Sequence, residues 1–286
     1  MTTLKKLHTA ILCILLAIFC QPAAADSQRL PGKFVWADLV TYDGKAAEQF
    51  FREWLGWQFR AQGDVDLIIH QDRTLGAIRQ RPQAPGTPVQ PRWVGYISVA
   101  DVKASAQKVA TMGGKPLLPA QTHPSMGEFA VMADAEGAVF GLIRRADDDP
   151  EDYLAEPGEW IWMQLFCRDI ARATAFYQAA GGYELYALDA SRGARQLLVK
   201  DGYARASISV IPPGEDAVAP AWLPFVRVED INAALQKVAA LGGRILMTPD
   251  DEKLEGKVAI VADPTGAALG VLEWHAEEGS AMEQMP

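Results

Sequence analysis

The chain has 286 residues, of which 49% are hydrophobic, and a formal net charge of −9. This length and apolar content suffice for two ordinary hydrophobic cores. Composition argues against nucleic acid as a partner, because the acidic chain has no basic stripe of the kind that phosphate binding requires.

The first 25 residues have the pattern of a targeting segment. Lys5 and Lys6 precede an apolar run over residues 10–19, and three alanines end at Ala25. This predicts a secretory signal peptide cleaved after Ala25, and hence an exported protein, periplasmic or secreted, whose mature chain has no integral membrane span. An uncleaved anchor is disfavoured because a spanning helix needs about 20 apolar residues. Lipid attachment at Cys20 is disfavoured by the bulky residue before it.

Removal of the signal peptide leaves Cys167 as the only cysteine of the mature chain. No internal disulfide can then form, and a lone thiol in an oxidising compartment is expected to be buried. Cys167 lies in a predicted strand two residues before Asp169, which favours burial over reactivity.

The remaining sequence repeats itself. Residues 34–57 align without a gap with residues 160–183 at an offset of 126, and a later offset of 129 superposes Gly141 on Gly270. A fixed period with matched apolar, Asp and Gly positions indicates a tandem duplication. The predicted organisation is a domain at residues 33–145, a solvated acidic linker at 146–158, a domain at 159–275 and an acidic tail at 276–286.

Each copy contains two units in which a strand ends at an aspartate that begins a helix. These aspartates are expected to be N-caps, each accepting a hydrogen bond from a backbone N–H of the first turn. They are Asp43, Asp101, Asp169 and Asp230. Further strands are predicted at residues 65–69, 75–79, 128–133 and 139–143, and at 196–199, 206–211, 257–262 and 268–273. The proline-rich segments 82–91 and 212–220 are interpreted as stiff connections between units.

Two motifs frame each copy: Asp-x-x-x-Ala-x-x-Phe-Tyr/Phe-x-x-x-x-Gly-Trp/Tyr at its start and Asp-x-x-Gly-Ala-x-x-Gly at its end. With them the chain resembles the vicinal oxygen chelate (VOC) superfamily, which includes glyoxalases, bleomycin-resistance proteins and extradiol dioxygenases. The resemblance covers nearly all of the mature chain. It implies an α+β fold of two tandem glyoxalase-like domains, each of paired βαβββ units forming an open cup-shaped sheet with helices outside.

In metal-dependent members of that superfamily, ligands come from the first strand of each unit, seven residues before its aspartate, and from the last strand. These positions hold Trp36, Val94, Trp162, Leu223, Gly141 and Gly270. The other ligand positions lie near residues 77–79 and 206–209, which contain no Asp, Glu or His. Divalent metals need converging His, carboxylate or thiolate ligands. No metal site and no cofactor is therefore predicted, and His70, His123 and His275 share no ligand spacing.

Every second side chain of a strand points to the same face of the sheet, so counting by two from the ligand positions predicts which side chains face the inside of each cup. The candidate ligand-binding residues are Trp36, Asp38, Tyr96, Ser98 and Gly141 in the first cup and Trp162, Gln164, Phe225, Arg227 and Gly270 in the second. Aromatic side chains with few polar groups suit a pocket for a small molecule. The two glycines are expected to leave room for a flat ligand. Alternatively, core side chains fill both cups and each glycine only accommodates an indole.

The polar members of the cups favour different ligands. Asp38 indicates a cationic or hydrogen-bonding ligand for the first cup, because an inward carboxylate is costly unless it is paired or meets a ligand. Arg227 indicates an anionic ligand for the second cup by the same argument.

The predicted function is that of an exported, metal-independent VOC-family protein that binds a small aromatic or amphipathic molecule, with no catalytic residue assigned. Two alternatives stay open. One is a lyase, isomerase or dioxygenase acting on a small oxygenated substrate through a metal with unorthodox ligands or through Asp38 as acid–base. The other is a structural protein that binds a protein partner.

Overall fold

The computed structural model describes residues 28–83, 89–188, 195–215, 217–250 and 256–275. The predicted signal peptide and acidic tail lie outside these residues, as do parts of both proline-rich segments. Within the described ranges, no helix is long and apolar enough to cross a membrane.

The first domain consists of a strand, a helix and three strands, repeated once. Its elements are β1 (Phe34–Thr41), α1 (Gly44–Leu55), β2 (Gln58–Gln62), β3 (Val65–His70), β4 (Arg73–Gln80), β5 (Arg92–Ser98), α2 (Val102–Thr111), β6 (Lys115–His123), β7 (Gly127–Ala133) and β8 (Val139–Arg145).

The second domain has the same element order. Its elements are β9 (Trp160–Cys167), α3 (Ile170–Gly181), β10 (Glu184–Ala187), β11 (Arg195–Lys200), β12 (Tyr203–Val210), β13 (Ala221–Val228), α4 (Ile231–Ala240), β14 (Arg244–Met247), β15 (Val258–Ala262) and β16 (Ala268–Glu273).

Each domain forms one eight-stranded sheet. The strand order is β2-β3-β4-β1-β5-β8-β7-β6 in the first domain and β10-β11-β12-β9-β13-β16-β15-β14 in the second. In the first sheet β1 lies parallel to β4 and antiparallel to β5, and β9 lies in the same way between β12 and β13. The two orders coincide when eight is added to each strand number. This confirms the predicted α+β fold of two tandem glyoxalase-like domains.

The four helices begin where the aspartates predicted. Each carboxylate accepts a hydrogen bond from the backbone N–H three residues later, as Asp43 does from Ala46 at 3.0 Å. Gly56 and Gly182 follow α1 and α3 with φ of 73° and 66°. These left-handed conformations suit glycine and direct the chain into the next strand.

Four strands that the sequence did not predict, β2, β6, β10 and β14, are the edges of the two sheets. Most of their residues are exposed or half-buried. An edge strand without a buried face lacks the alternation of apolar and polar residues on which the other strand predictions rested.

The helices pack between the two sheets, so both main cores cross the domain boundary. One core joins α1 and β1 to α4 and β16, with Phe51 and Leu235 among its buried residues. The other joins α2 and β8 to α3 and β12, with Phe140 and Tyr177 at its centre. The opposite face of each sheet carries the side chains that the sequence predicted for the inside of a cup, and in the first domain these form a separate buried cluster with Trp36 and Tyr96.

Most residues of the segment between the domains are exposed, as expected for a solvated linker, but two of its aspartates make specific contacts. Asp149 is 3% exposed and accepts hydrogen bonds from the Leu30 backbone N–H and the Ser98 hydroxyl. Asp152 forms ion pairs with Lys33 and Arg205, which belong to different domains. Asp152 therefore links the two domains, and Asp149 fixes the segment to the first domain, which their charge alone did not indicate.

Candidate functional site

Strand register identifies the remaining ligand positions. Gly141 pairs with Tyr96 on the neighbouring strand, and Ala77 pairs with Asp38 in the same relation, so Ala77 is the internal counterpart of Gly141. In the second domain the same relation selects Ser207, which pairs with Gln164. The complete sets are Trp36, Ala77, Val94 and Gly141 in the first cup and Trp162, Ser207, Leu223 and Gly270 in the second.

These eight residues do not fit the metal of the superfamily. None carries a carboxylate, an imidazole or a thiolate, which are the protein groups that hold such ions. In the part of the chain that the structure describes, no group of three or more His, Cys, Asp or Glu could hold a metal ion. The three histidines among the described residues lie apart from one another: His70 bonds the Pro157 carbonyl, while His123 and His275 each lie beside one carboxylate.

The floor of the first cup is a closed hydrogen-bond network around Asp38. The Nε of Arg79 donates to Asp38 Oδ2 at 2.6 Å, and the Tyr96 hydroxyl donates to the same oxygen at 2.8 Å. The indole Nε1 of Trp36 donates to Oδ1 at 2.6 Å. Asp38 has no exposed surface. A buried carboxylate with three donors, one of them a cation, is satisfied without a ligand.

The expectation that Asp38 attracts a cationic ligand is therefore wrong, because Arg79 already supplies the cation. Burial acts to lower the pKa of Arg79, but the adjacent Asp38 carboxylate outweighs it and raises that pKa. Burial raises the pKa of Tyr96 well above its ordinary value, and the charge of Asp38 adds to the rise. Arg79 therefore stays charged, and Tyr96 stays protonated as a hydrogen-bond donor to Asp38.

The two strand glycines do not leave room for a ligand, contrary to expectation. A Cβ at Gly141 would overlap the ring of Tyr96, and a Cβ at Gly270 would overlap the ring of Phe225. Each aromatic ring thus lies across the glycine of the paired strand. The interpretation that glycine accommodates a ring is right, but the ring belongs to the paired strand and not to Trp36 or Trp162.

Ser98 is also unavailable to a ligand. Its hydroxyl donates to Asp149 Oδ2 at 2.5 Å, and the residue has no exposed surface. It connects the end of β5 to the interdomain segment. Ser98 is therefore a structural residue of the domain junction.

A pocket remains above the floor of the first cup. Its volume is about 210 Å³. Its apolar wall consists of Val40, Val94, Leu117, Leu118, Val131 and Val139. The ring of Tyr96 lies at its base. The first cup is therefore filled at the floor by the Trp36, Asp38 and Tyr96 side chains but open above them.

Three arginines complete this pocket, and the sequence analysis did not identify them. Arg79 and Arg81 come from the end of β4 and the residues after it, and Arg92 begins β5. A signal was present, since Arg92 is two residues before Val94 and so faces the same side of the sheet. Alternation from Val94 leads to Arg92 in one direction and to Tyr96 in the other, and only Tyr96 was predicted to line the cup.

The floor of the second cup holds hydrogen-bonded pairs of neutral side chains, with the Nε of Arg195 3.4 Å from the Ser209 hydroxyl. The indole Nε1 of Trp162 donates to the Ser207 hydroxyl at 2.8 Å, and the amide of Gln164 donates to the Ser209 hydroxyl at 3.0 Å. By register, Gln164 and Ser209 occupy the places of Asp38 and Arg79. Trp162 remains half-buried, whereas Trp36 is 3% exposed. The duplicated cups thus differ in the charge of their floors.

Arg227 of the second domain is held in place by backbone carbonyls. Its Nε donates to the Trp274 carbonyl and its guanidinium also donates to the Ala155 carbonyl. It lines a cleft of about 290 Å³ between α1, the interdomain segment and α4. The attraction of an anion to the second cup through Arg227 stays a prediction.

Cys167 is buried, as predicted, with 1% of its surface exposed. Burial raises the pKa of its thiol to about 12, and nearby carboxylates add to the shift. A thiol that stays protonated in the core is unreactive.

Comparison with known proteins agrees with this architecture. Residues 161–271 match the model of the Glyoxalase/Bleomycin resistance protein/Dioxygenase superfamily, and residues 35–143 match that of a Glyoxalase-like domain. Over 246 residues the chain is 30% identical to "Putative glyoxylase CFP32" of Mycobacterium tuberculosis, covering 83% of this chain and 93% of that protein.

Two further comparisons are more distant. The anthracycline biosynthesis protein DauV of Streptomyces sp. is 27% identical over 262 residues, which cover 85% of this chain and 94% of DauV. The crystal structure of the Mn(II)-bound glyoxalase from Novosphingobium aromaticivorans has a TM-score of 0.59 at 12% identity. The match covers 86% of this chain and 83% of the glyoxalase chain, and at 12% identity it supports the fold alone.

Proposed function

Because the chain belongs to the glyoxalase/bleomycin resistance protein/dioxygenase superfamily, we propose that it is a metal-independent member that binds a small amphipathic molecule in the cup of its first domain. The observation that carries the proposal is the pocket of about 210 Å³ above a floor whose polar groups are already paired. An apolar wall with a few polar groups is the usual lining of a small-molecule site.

The floor explains why a metal is not required for binding. At the ligand positions of this cup the chain carries an indole, a methyl group, an isopropyl group and a hydrogen atom, at Trp36, Ala77, Val94 and Gly141. Binding then depends on burial of apolar ligand surface against the valines and leucines of the wall, at roughly 25 cal/mol for each Å² removed from water.

An enzymatic role through Asp38 is less well supported. General acid–base catalysis requires a group within hydrogen-bond reach of the substrate proton. Asp38 has no exposed surface, and Arg79, Tyr96 and Trp36 occupy its oxygens. The names of two relatives, "Putative glyoxylase CFP32" and "Anthracycline biosynthesis protein DauV", are consistent with small-molecule chemistry but identify no catalytic group in this chain.

We test the proposal with isothermal titration calorimetry on chelator-treated protein. The probes are benzoate, 3-phenylpropionate and 2-naphthoate, each with its neutral carboxamide. At least one probe is expected to bind with 1:1 stoichiometry and unchanged affinity when Mn²⁺ or Zn²⁺ is added back. Binding that appears only with metal, or no binding of any probe, would overturn the proposal.

A matched pair of variants locates the site. Val131 and Ile260 occupy equivalent positions, because they pair with Gly141 and Gly270. Val131→Trp should fill the pocket of the first cup and abolish binding, whereas Ile260→Trp should leave it intact. The opposite result would assign the ligand to the second cup.

Export is a separate proposal that rests on residues 1–25 alone. Expression of the full chain in a Gram-negative host should yield a periplasmic or secreted protein whose N-terminal sequence begins at Asp26. Retention in the cytoplasm with Met1 intact would contradict it.

A further inference from the structure

We propose that the ligand of the first cup is an amphipathic organic acid whose anionic group is held by Arg81 and Arg92 at the mouth of the pocket. This inference rests on the proposed binding function and specifies the chemistry of the ligand. It reverses the charge that the sequence indicated for this cup.

The three arginines of the pocket differ in how their charge is used. Arg79 is neutralised by Asp38 at 2.6 Å, with Asp64 a further 3.9 Å contact. Arg81 and Arg92 are exposed, and in the part of the chain that the structure describes no carboxylate pairs with either. No acidic residue lines the pocket. The pocket therefore presents two uncompensated positive charges.

The duplication supplies an internal comparison. Arg81 donates its backbone N–H to the Thr41 carbonyl, and Ile211 donates to Cys167 in the same way. Val40 pairs with Arg92 in the first domain, and Phe166 pairs with Ala221 in the second. The arginines at the first mouth thus correspond to an isoleucine and an alanine at the second.

This difference shows that Arg81 and Arg92 are not part of what the two domains share. The same strands close the same sheet in both domains, so the fold does not require guanidinium groups at these two positions. Arginine occupies these two positions only in the cup that contains the pocket of about 210 Å³. Two cations without acidic partners at the entrance to an apolar cavity are the complement of an anionic head group on an apolar body.

The surrounding protein strengthens this selectivity. The chain as a whole carries a formal charge of −9, so a basic mouth is a local exception on an acidic molecule. A cleft lined by one sign of charge focuses the field and raises the local concentration of ligands of opposite sign. Guanidinium groups also bind carboxylates in a bidentate geometry that a neutral amide does not reproduce.

Apolar residues at the edge of the pocket would bind the apolar body of the ligand. Leu117 lies on β6 at the edge of the pocket and is 54% exposed. A flat apolar body that enters between Val94 and Val131 would cover it, while its acid group remains near the solvent-exposed guanidinium groups. An inorganic anion would contact only the guanidinium groups.

The experiment compares each acid with its carboxamide by calorimetry at low ionic strength, since the members of a pair have nearly the same shape. We expect the acid to bind about tenfold more tightly or better, which corresponds to about 1.4 kcal/mol. The preference should fall as salt is added, because the mouth is exposed to solvent.

The variant Arg81→Gln/Arg92→Gln isolates the charge. It should lose the preference for the acid while binding the amide as the wild type does, and the retained amide binding shows that the pocket is intact. Arg244→Gln, which removes an exposed arginine from β14 of the second domain, is the control and should leave the preference unchanged.

The outcomes distinguish the two proposals. Equal binding of acid and amide, or a preference that survives loss of both arginines, overturns the anionic ligand and leaves the binding function in place. Absence of binding by every acid and every amide overturns the binding function itself. Inorganic phosphate competing as strongly as the acids would contradict the requirement for an apolar body.

Discussion

The hydroxyl of Tyr177 donates to Asp134 Oδ2 at 3.0 Å, which links α3 of the second domain to the turn before β8 of the first. The same hydroxyl accepts the indole N–H of Trp222 at 2.7 Å. The duplication places Phe51 where Tyr177 stands, with Trp93 and Asp263 in the places of Trp222 and Asp134. Phenylalanine has no hydroxyl, and both Trp93 Nε1 and Asp263 Oδ2 are buried without a partner. The absence of a hydroxyl group at Phe51 therefore accounts for both unpaired atoms.

The first prediction is that Phe51→Tyr stabilises the protein. The introduced hydroxyl would accept from Trp93 and donate to Asp263, and each satisfied buried group contributes about 1 kcal/mol. We expect the free energy of unfolding to rise by about 1–2 kcal/mol in urea titrations followed by fluorescence. Tyr177→Phe is the mirror control and should destabilise by about 1–3 kcal/mol. A destabilised Phe51→Tyr would mean that the cavity has no room for the oxygen.

The second prediction concerns the pH dependence of that gain. Burial raises the pKa of Asp263 above its unfolded value. The protonated Asp263 carboxyl contributes fully to the free energy of unfolding at pH values below its pKa in the unfolded state. This contribution is lost as the pH rises through its pKa in the folded state. The new hydroxyl donates to the charged form, so the advantage of Phe51→Tyr should be larger near pH 8 than near pH 4. Unfolding titrations of both proteins across that range measure it, and a constant difference would contradict the assignment.

The third prediction concerns the charged floor of the first cup. Asp38→Gln leaves Arg79 buried without its counter-ion, and breaking such a pair costs about 3–5 kcal/mol. The double variant Asp38→Gln/Arg79→Ser copies the neutral pair of the second cup and should cost less than the sum of the single changes. A double-mutant cycle by chemical denaturation tests this. Additive costs would show that the two side chains are not coupled.

The fourth prediction concerns the strand glycines. Gly141→Ala places a methyl group inside the ring of Tyr96 and should cost about 1–3 kcal/mol of stability. Adding Tyr96→Ala to Gly141→Ala should relieve the overlap. The double variant should then lose less stability than the sum of the losses in the two single variants. Gly270→Ala should behave in the same way with Phe225. Thermal unfolding of the set provides the measurement, and a neutral Gly141→Ala would contradict the packing described.

The fifth prediction is that Cys167 does not react in the folded protein. Its thiol pKa of about 12 keeps it protonated near pH 8, and its burial excludes reagents. Iodoacetamide should leave the Cys167 peptide unmodified in native protein and modify it fully in denaturant, as read by mass spectrometry. Rapid labelling of native protein would indicate local opening of β9.

Much of the fold followed from local patterns. The N-caps at Asp43 and Asp230 and the buried strands were predictable because capping and alternation act over a few residues. The edge strands β2 and β14 were missed because a strand with no buried face has no such pattern. Of the candidate site, Trp36, Asp38 and Tyr96 were placed correctly in the first cup by alternation from the ligand positions.

The roles of those residues were not predictable in the same way. Asp38 and Arg79 are 41 residues apart, and only the parallel pairing of β1 and β4 brings them to 2.6 Å. Gly141 was expected to leave room for a ligand, but the register of β5 and β8 places the Tyr96 ring over it. Ser98 faces a carboxylate of the interdomain segment that the sequence presented as solvated.

The sequence by itself determined the duplication, the helix starts, the buried strands and the lack of metal-ligating side chains at the ligand positions, because each of these depends on residue type and short-range spacing. The tertiary structure alone decided which charges are paired, which glycines are covered and that the open pocket is lined by Arg81 and Arg92. Pairing and accessibility depend on contacts between strands distant in sequence, and a difference of one strand register changes which side chains meet.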